Sequence, residues 1–90
     1  MKPLEMHLRR ESNGFSWQTE VLLEILELNY ALTIMEWIEL GIYYKVGSMA
    51  TLHKCIDQLR ESNLIEELES DDGRKRLFGI TSQGRNYLGK

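Results

Sequence analysis

An α+β fold, three helices followed by a two-stranded hairpin and a short last helix, is what this 90-residue sequence predicts. Three observations carry that reading. Two stretches, after Ser16 and after Ser48, repeat apolar residues at helical spacing behind a serine, whose hydroxyl satisfies a free backbone amide at a helix start. Between them, Thr33-Ile34-Met35-Glu36 has the spacing of a capping box, in which threonine and glutamate each accept from an orphaned amide. Beyond them, Leu64 to Thr81 reads strand, turn, strand about Asp72-Gly73, a strong signal for a tight turn. In that order the parts suit a winged helix-turn-helix with a three-helix core, a β-hairpin wing and a short C-terminal helix.

At this length the chain is one small domain. Residues 1–14, with Lys2, Arg9, Arg10 and the turn-like Ser12-Asn13-Gly14, read as an N-terminal arm, and residues 15–90 as the winged-helix domain. Ser16 caps a first amphipathic helix with Trp17, Val21, Leu22, Ile25 and Leu28 on its apolar side and Glu20, Glu24 and Glu27 on a solvated side. Asn29 to Leu32 is a connection or a very short strand. A second helix starts near Ile34, buries Trp37, Ile38 and Leu40, and ends at Gly41, a residue suited to the left-handed conformation that closes many helices.

Ile42 to Gly47 joins the second helix to the third. Tyr43 and Tyr44 offer hydroxyls to an outside acceptor, although the reading favours packing of at least one of them on the core. The third helix, capped by Ser48, carries Leu52, Cys55, Ile56 and Leu59 in one stripe and Ala50, Thr51, Lys54 and Asp57 opposite. Asn63 follows it where a left-handed residue is needed. The hairpin runs from Leu64 to Glu69, through a tip at Ser70 to Lys75, and back from Arg76 to Thr81, with Phe78 and Ile80 on the face that packs on the helices. Thr81 caps the last helix, from Ser82 to Leu88.

Composition narrows the function. Hydrophobic content of 42% and charged content of 28% are those of an ordinary globular protein. Met1 to His7 lacks the apolar core of a signal peptide, which makes a cytoplasmic location the expectation. One cysteine, Cys55, excludes a disulfide or a thiolate metal cage within the chain, and its place in an apolar stripe favours a structural thiol over a redox sensor. His7 and His53 share no ligand spacing, so no metal or cofactor is expected. Neither a nucleophile arrangement nor a phosphate-cradling glycine loop appears, and an enzyme is not expected.

A net charge of −3 argues against a general nucleic-acid binder, but the distribution of charge argues back. Six glutamates and no lysine or arginine lie between Glu11 and Tyr44, whereas five basic residues and no acid lie between Gly73 and Lys90. An acidic face turned away from DNA and a basic wing turned toward it reconcile the two.

From Gly47 to Leu88 the sequence resembles the winged-helix module of the MarR family of bacterial regulators. The likeness lies in the serine-led third helix, in Leu59-Arg60-Glu61-Ser62-Asn63-Leu64-Ile65, in Asp72-Gly73-Arg74 and in Ile80-Thr81-Ser82-Gln83-Gly84, with Asn63 in place of the family's glycine. It covers about half the chain. The resemblance implies that the start of the third helix enters the major groove of double-stranded DNA while the wing reaches the minor groove or backbone. It makes Arg74 the leading wing contact, braced by Asp72.

The DNA-contacting set it implies is Lys45, Ser48, Met49, Ala50, Thr51, His53, Lys54, Arg74, Lys75 and Arg76. Lys54 suits a phosphate, Ser48 and Thr51 a phosphate or base edge, and Met49 or Ala50 a thymine methyl. His53 is either a groove contact or a partly buried helix residue. The family's long dimerisation helices, which also form its effector pocket, are missing from the resemblance, so ligand-responsive repression is not implied. A homodimer through the arm or first helix, and a protein partner on the acidic face, are the further partners allowed; a membrane is not. The competing function is a winged-helix protein-interaction module such as an anti-repressor or a polymerase-associated factor.

Overall fold

Each helix among the described residues starts on a side-chain cap, and those caps set the order of the elements. The computed structural model describes residues 15–69 and 76–89; the arm of residues 1–14 and the hairpin tip of residues 70–75 lie outside the described residues. Ser16 caps α1 (Trp17–Asn29), accepting from the Thr19 amide. After β1 (Ala31–Thr33), Thr33 caps α2 (Ile34–Tyr43) through the complete box, with the Thr33 amide donating to Glu36 Oε1 at 3.0 Å and the Glu36 amide to Thr33 Oγ1 at 3.1 Å. Ser48 caps α3 (Met49–Glu61), and Thr81 caps α4 (Ser82–Tyr87). Between them lie β2 (Ile65–Glu69) and β3 (Arg76–Ile80).

The helix ends are as local as the starts. Asn63 takes the left-handed conformation at φ 61°, with its amide donating to the Arg60 carbonyl and the Leu64 amide to the Leu59 carbonyl, the pairing that satisfies the last carbonyls of a helix. The same pairing closes α2, and it corrects the expected end at Gly41. There the left-handed residue is Lys45 at φ 60°, whose amide donates to Ile42 while the Val46 amide donates to Gly41. Gly41 lies inside α2, where a Cβ would stand 2.8 Å from Leu52 Cδ1. Its small size lets α2 approach α3.

Three antiparallel strands in the order β1-β3-β2 form the sheet, with Leu32 opposite Phe78 and Ile65 opposite Ile80. The hairpin thus gains a third strand from the short Ala31–Thr33 segment. Around it α1, α2 and α3 bury Leu22, Leu23, Leu26, Trp37, Ile38, Leu52, Ile56 and Leu59, and β3 adds Phe78 and Ile80. Trp37 Nε1 donates to the Leu22 carbonyl at 2.9 Å, so the largest core side chain is also polar-satisfied. Cys55 is a buried free thiol in the same core.

The buried face of α1 matches expectation only in part. Leu22 and Ile25 are buried as expected, joined by Leu23 and Leu26, whereas Trp17 and Leu28, expected on the same side, are 45% and 66% exposed on the opposite side. Apolar residues occupy both arcs of α1, so spacing alone cannot choose between them; packing against α3, α2 and the sheet does. Glu20, expected in solvent, is 2% exposed and accepts from the Tyr87 hydroxyl of α4. A carboxylate is tolerated in that position because it is hydrogen-bonded.

α4 packs against the junction of α3 and the sheet, and this accounts for the Thr81-x-x-Gly84 spacing. Thr81 Oγ1 donates to the Asn63 carbonyl at 2.8 Å while accepting from the Gly84 amide at 3.0 Å. A Cβ on Gly84 would overlap the Leu64 carbonyl oxygen. Among the described residues, no helix is long and apolar enough to cross a membrane.

Candidate nucleic-acid interface

The first two turns of α3 form the surface on which the expected contacts gather. Ser48, Met49, Ala50, His53 and Lys54 are exposed and Thr51 is half-buried, whereas Leu52, Cys55, Ile56 and Leu59 face the core. The structure therefore resolves His53 to the solvent side. Lys45, just before the helix, is exposed as well.

Ser48 and Thr51 act together. Ser48 Oγ accepts from the Thr51 amide at 3.3 Å and donates to Thr51 Oγ1 at 3.1 Å. The serine proton is spent on the cap, which leaves the Thr51 hydroxyl proton as the pair's donor toward an incoming oxygen. The unpaired amides of the first helical turn add partial positive charge at the same end.

Tyr43 and Tyr44 depart from expectation. Neither packs on the core: they are 75% and 59% exposed. Their rings instead meet edge to face, with centroids 5.0 Å apart, so each covers part of the other's apolar surface. Being in the turn that closes α2, they project from the helix-turn-helix rather than under it. Both hydroxyls are thus open to an outside acceptor, the alternative to the core packing that the sequence favoured for at least one of the two.

Charge on the hairpin is more mixed than the sequence split suggests. Arg76 is exposed, but its Nε lies 3.4 Å from Glu67 Oε2, and Glu66, Glu67 and Glu69 are all exposed on β2. Arg74 and Lys75, the expected wing contacts, and Asp72, their expected brace, lie outside the described residues. At the far end of α3, Arg60 places its guanidinium 5.1 Å from the Phe78 ring centroid, a cation held on the aromatic face.

Behind the surface, Gln18 of α1 donates from Nε2 to the Val46 carbonyl at 3.0 Å, directly ahead of the α3 cap. Nothing in the sequence singles Gln18 out, because a polar residue in a first helical turn reads as solvated.

Neither a protein-family model nor a curated protein matches the sequence. Solved structures do. A MarR family transcriptional regulator from Silicibacter pomeroyi is similar with a TM-score of 0.78 and 26% identity, over 97% of this chain and 56% of that one. The chain has a MarR-like winged-helix fold. A mutant MarR from E. coli, complexed with operator DNA, aligns to the MarR-like domain with a TM-score of 0.74 and 14% identity, over 93% of this chain and 58% of that one. BpsR of Bordetella bronchiseptica, whose DNA binding is regulated by 6-hydroxynicotinic acid, aligns with a TM-score of 0.68 and 19% identity, over 86% and 56%. The domain thus spans little more than half the length of these solved chains.

Proposed function

We propose that this MarR-like domain is a sequence-specific, double-stranded DNA-binding transcriptional regulator. Its recognition helix α3 lies in the major groove, and its hairpin reaches the minor groove or backbone. The observation that carries the reading is the face of α3 itself: a capped, exposed first turn presenting small, hydroxyl and cationic side chains while its apolar stripe is held in the core. A helix of this kind fits the major groove, where short side chains approach base edges and cations neutralise phosphates. In this reading Lys45 and Lys54 take phosphates, Ser48, Thr51 and His53 take polar edges or phosphates, Met49 and Ala50 take thymine methyls, and Arg74, Lys75 and Arg76 act from the wing. A homodimer follows as a proposal, since two-fold symmetry would double a short half-site.

Selection of bound sequences from a random duplex pool tests the proposal. Enrichment of a common site supports it, and a palindromic site supports the dimer; an unenriched pool contradicts it. A second reading, as a protein-interaction module, draws on the exposed Glu66, Glu67 and Glu69 of β2, which would repel phosphate but suit a basic partner. That reading gains only if the pool shows no enrichment.

A further inference from the structure

Three consecutive residues of α1 each reach a different distant part of the domain. Gln18 donates to the Val46 carbonyl at 3.0 Å, 28 residues away, and the Thr19 hydroxyl donates to Gln58 Oε1 at 3.2 Å, 39 residues away. Glu20 accepts from the Tyr87 hydroxyl, 67 residues away. The first two bonds hold α3 at opposite ends, one just before its cap and one in its last turns.

Apolar contact between helices is nondirectional, so the leucine packing of α1 on α3 determines closeness better than register. Hydrogen bonds are directional and weaken steeply with misalignment. Two of them at the two ends of a rigid rod determine how far it slides and how it turns. We propose that Gln18 and Thr19 are positioning residues that set the axial position and rotation of α3, and thereby which of its outward side chains meets a base edge. The inference rests on the DNA reading above and assigns α1 a part in specificity without contact with DNA.

The expected signature is a loss of discrimination rather than of binding. Lysine contacts to phosphate come from long flexible stems and survive a small shift of α3, whereas hydrogen bonds to base edges do not. Thr19 is fully buried, so Thr19→Val keeps its shape and removes its donor, and Thr19→Ser restores the donor. Gln58 is exposed, and water can replace the bond it loses.

The test uses the full chain with Gln18→Leu, Thr19→Val and Thr19→Ser. It measures the ratio of affinities for the selected duplex and an unrelated duplex of the same length, the salt dependence of each, and amide hydrogen exchange along α3. Gln18→Leu and Thr19→Val are each expected to lower the ratio about tenfold, one lost base-edge contact, with affinity for the unrelated duplex and the salt slope retained, while Thr19→Ser keeps the ratio of the parent. An unchanged ratio, an equal loss on both duplexes, or a Thr19→Ser variant no better than Thr19→Val overturns the inference. A parent chain with no preference for any duplex overturns the DNA reading instead. The positional claim is then decided by exchange from Met49 to Gln58: faster in Thr19→Val but not in Thr19→Ser upholds it, and unchanged in both overturns it.

Discussion

Ser48 is where the stability of α3 and its proposed docking can be separated experimentally. Ser48→Ala removes the acceptor of the Thr51 amide, 3.3 Å away, and the hydroxyl partner of Thr51, 3.1 Å away. Both bonds are exposed, so water takes over the freed groups and no buried amide is orphaned. The cost is therefore that of an ordinary helix cap, about 1 kcal/mol, which lowers the melting temperature of a domain this size by about 4–8 °C. Ser48→Asp keeps an acceptor at the cap and adds a negative charge at the positive end of α3, so its stability should equal or exceed that of the parent. In the proposed docking the same carboxylate faces phosphate. A unit charge about 4 Å from another in water costs about 1 kcal/mol, and affinity should fall about fivefold. Urea unfolding followed by circular dichroism reads the first quantity, and fluorescence anisotropy with the selected duplex at fixed salt reads the second. An Asp variant destabilised as much as the Ala variant would refute the cap, and one that is stable yet binds as tightly as the parent would refute the placement of this helix end beside phosphate.

Three further outcomes follow from single contacts. Lys45→Gly relieves a left-handed conformation at φ 60° but removes a cation, so the variant should be at least as stable as the parent in urea and show a salt slope of binding smaller by about one. Tyr87→Phe withdraws a donor from the buried Glu20 carboxylate and should cost about 1–3 kcal/mol of unfolding free energy; an unchanged urea midpoint would show that this bond contributes nothing. Gly41→Ala places a methyl 2.8 Å from Leu52 Cδ1, and the overpacking should cost about 1–3 kcal/mol. A thermal melt that does not move would mean that the Leu52 side chain yields to the methyl at no more cost than the helix propensity alanine adds, about 1 kcal/mol.

What could be read from the sequence was what is decided within a few residues. The caps at Ser16, Thr33, Ser48 and Thr81 and the left-handed Asn63 each depend on one side chain or one backbone angle, and all are observed. The exposed face of α3 was legible for the same reason, since its four core residues form an unbroken stripe. Tertiary choices were not. Both arcs of α1 are apolar, so only the neighbouring helices decide that Leu23 is buried and Leu28 is not. Glu20 is drawn inward by a tyrosine that lies 67 residues further along the chain. Gly41 has the chemistry of a helix terminator, but Leu52 uses its missing side chain, and Lys45 supplies the left-handed turn instead. Hydrophobicity alone favoured the core for at least one of Tyr43 and Tyr44, and the turn that carries them holds both outside. The basic cluster at Arg74 to Arg76 was equally plain, yet the glutamates of β2 share its hairpin and Glu67 engages Arg76.

The salt dependence of binding to the selected duplex, compared between the parent and Lys54→Ala, tests the placement of α3 on DNA most directly. Affinity is predicted to fall steeply with salt, as expected when released counterions drive association, and the logarithmic slope of the Lys54→Ala variant should be shallower by about 0.9, the share of one phosphate. Binding that is insensitive to salt, or a slope that Lys54→Ala leaves unchanged, would contradict the docking of this helix on the DNA backbone.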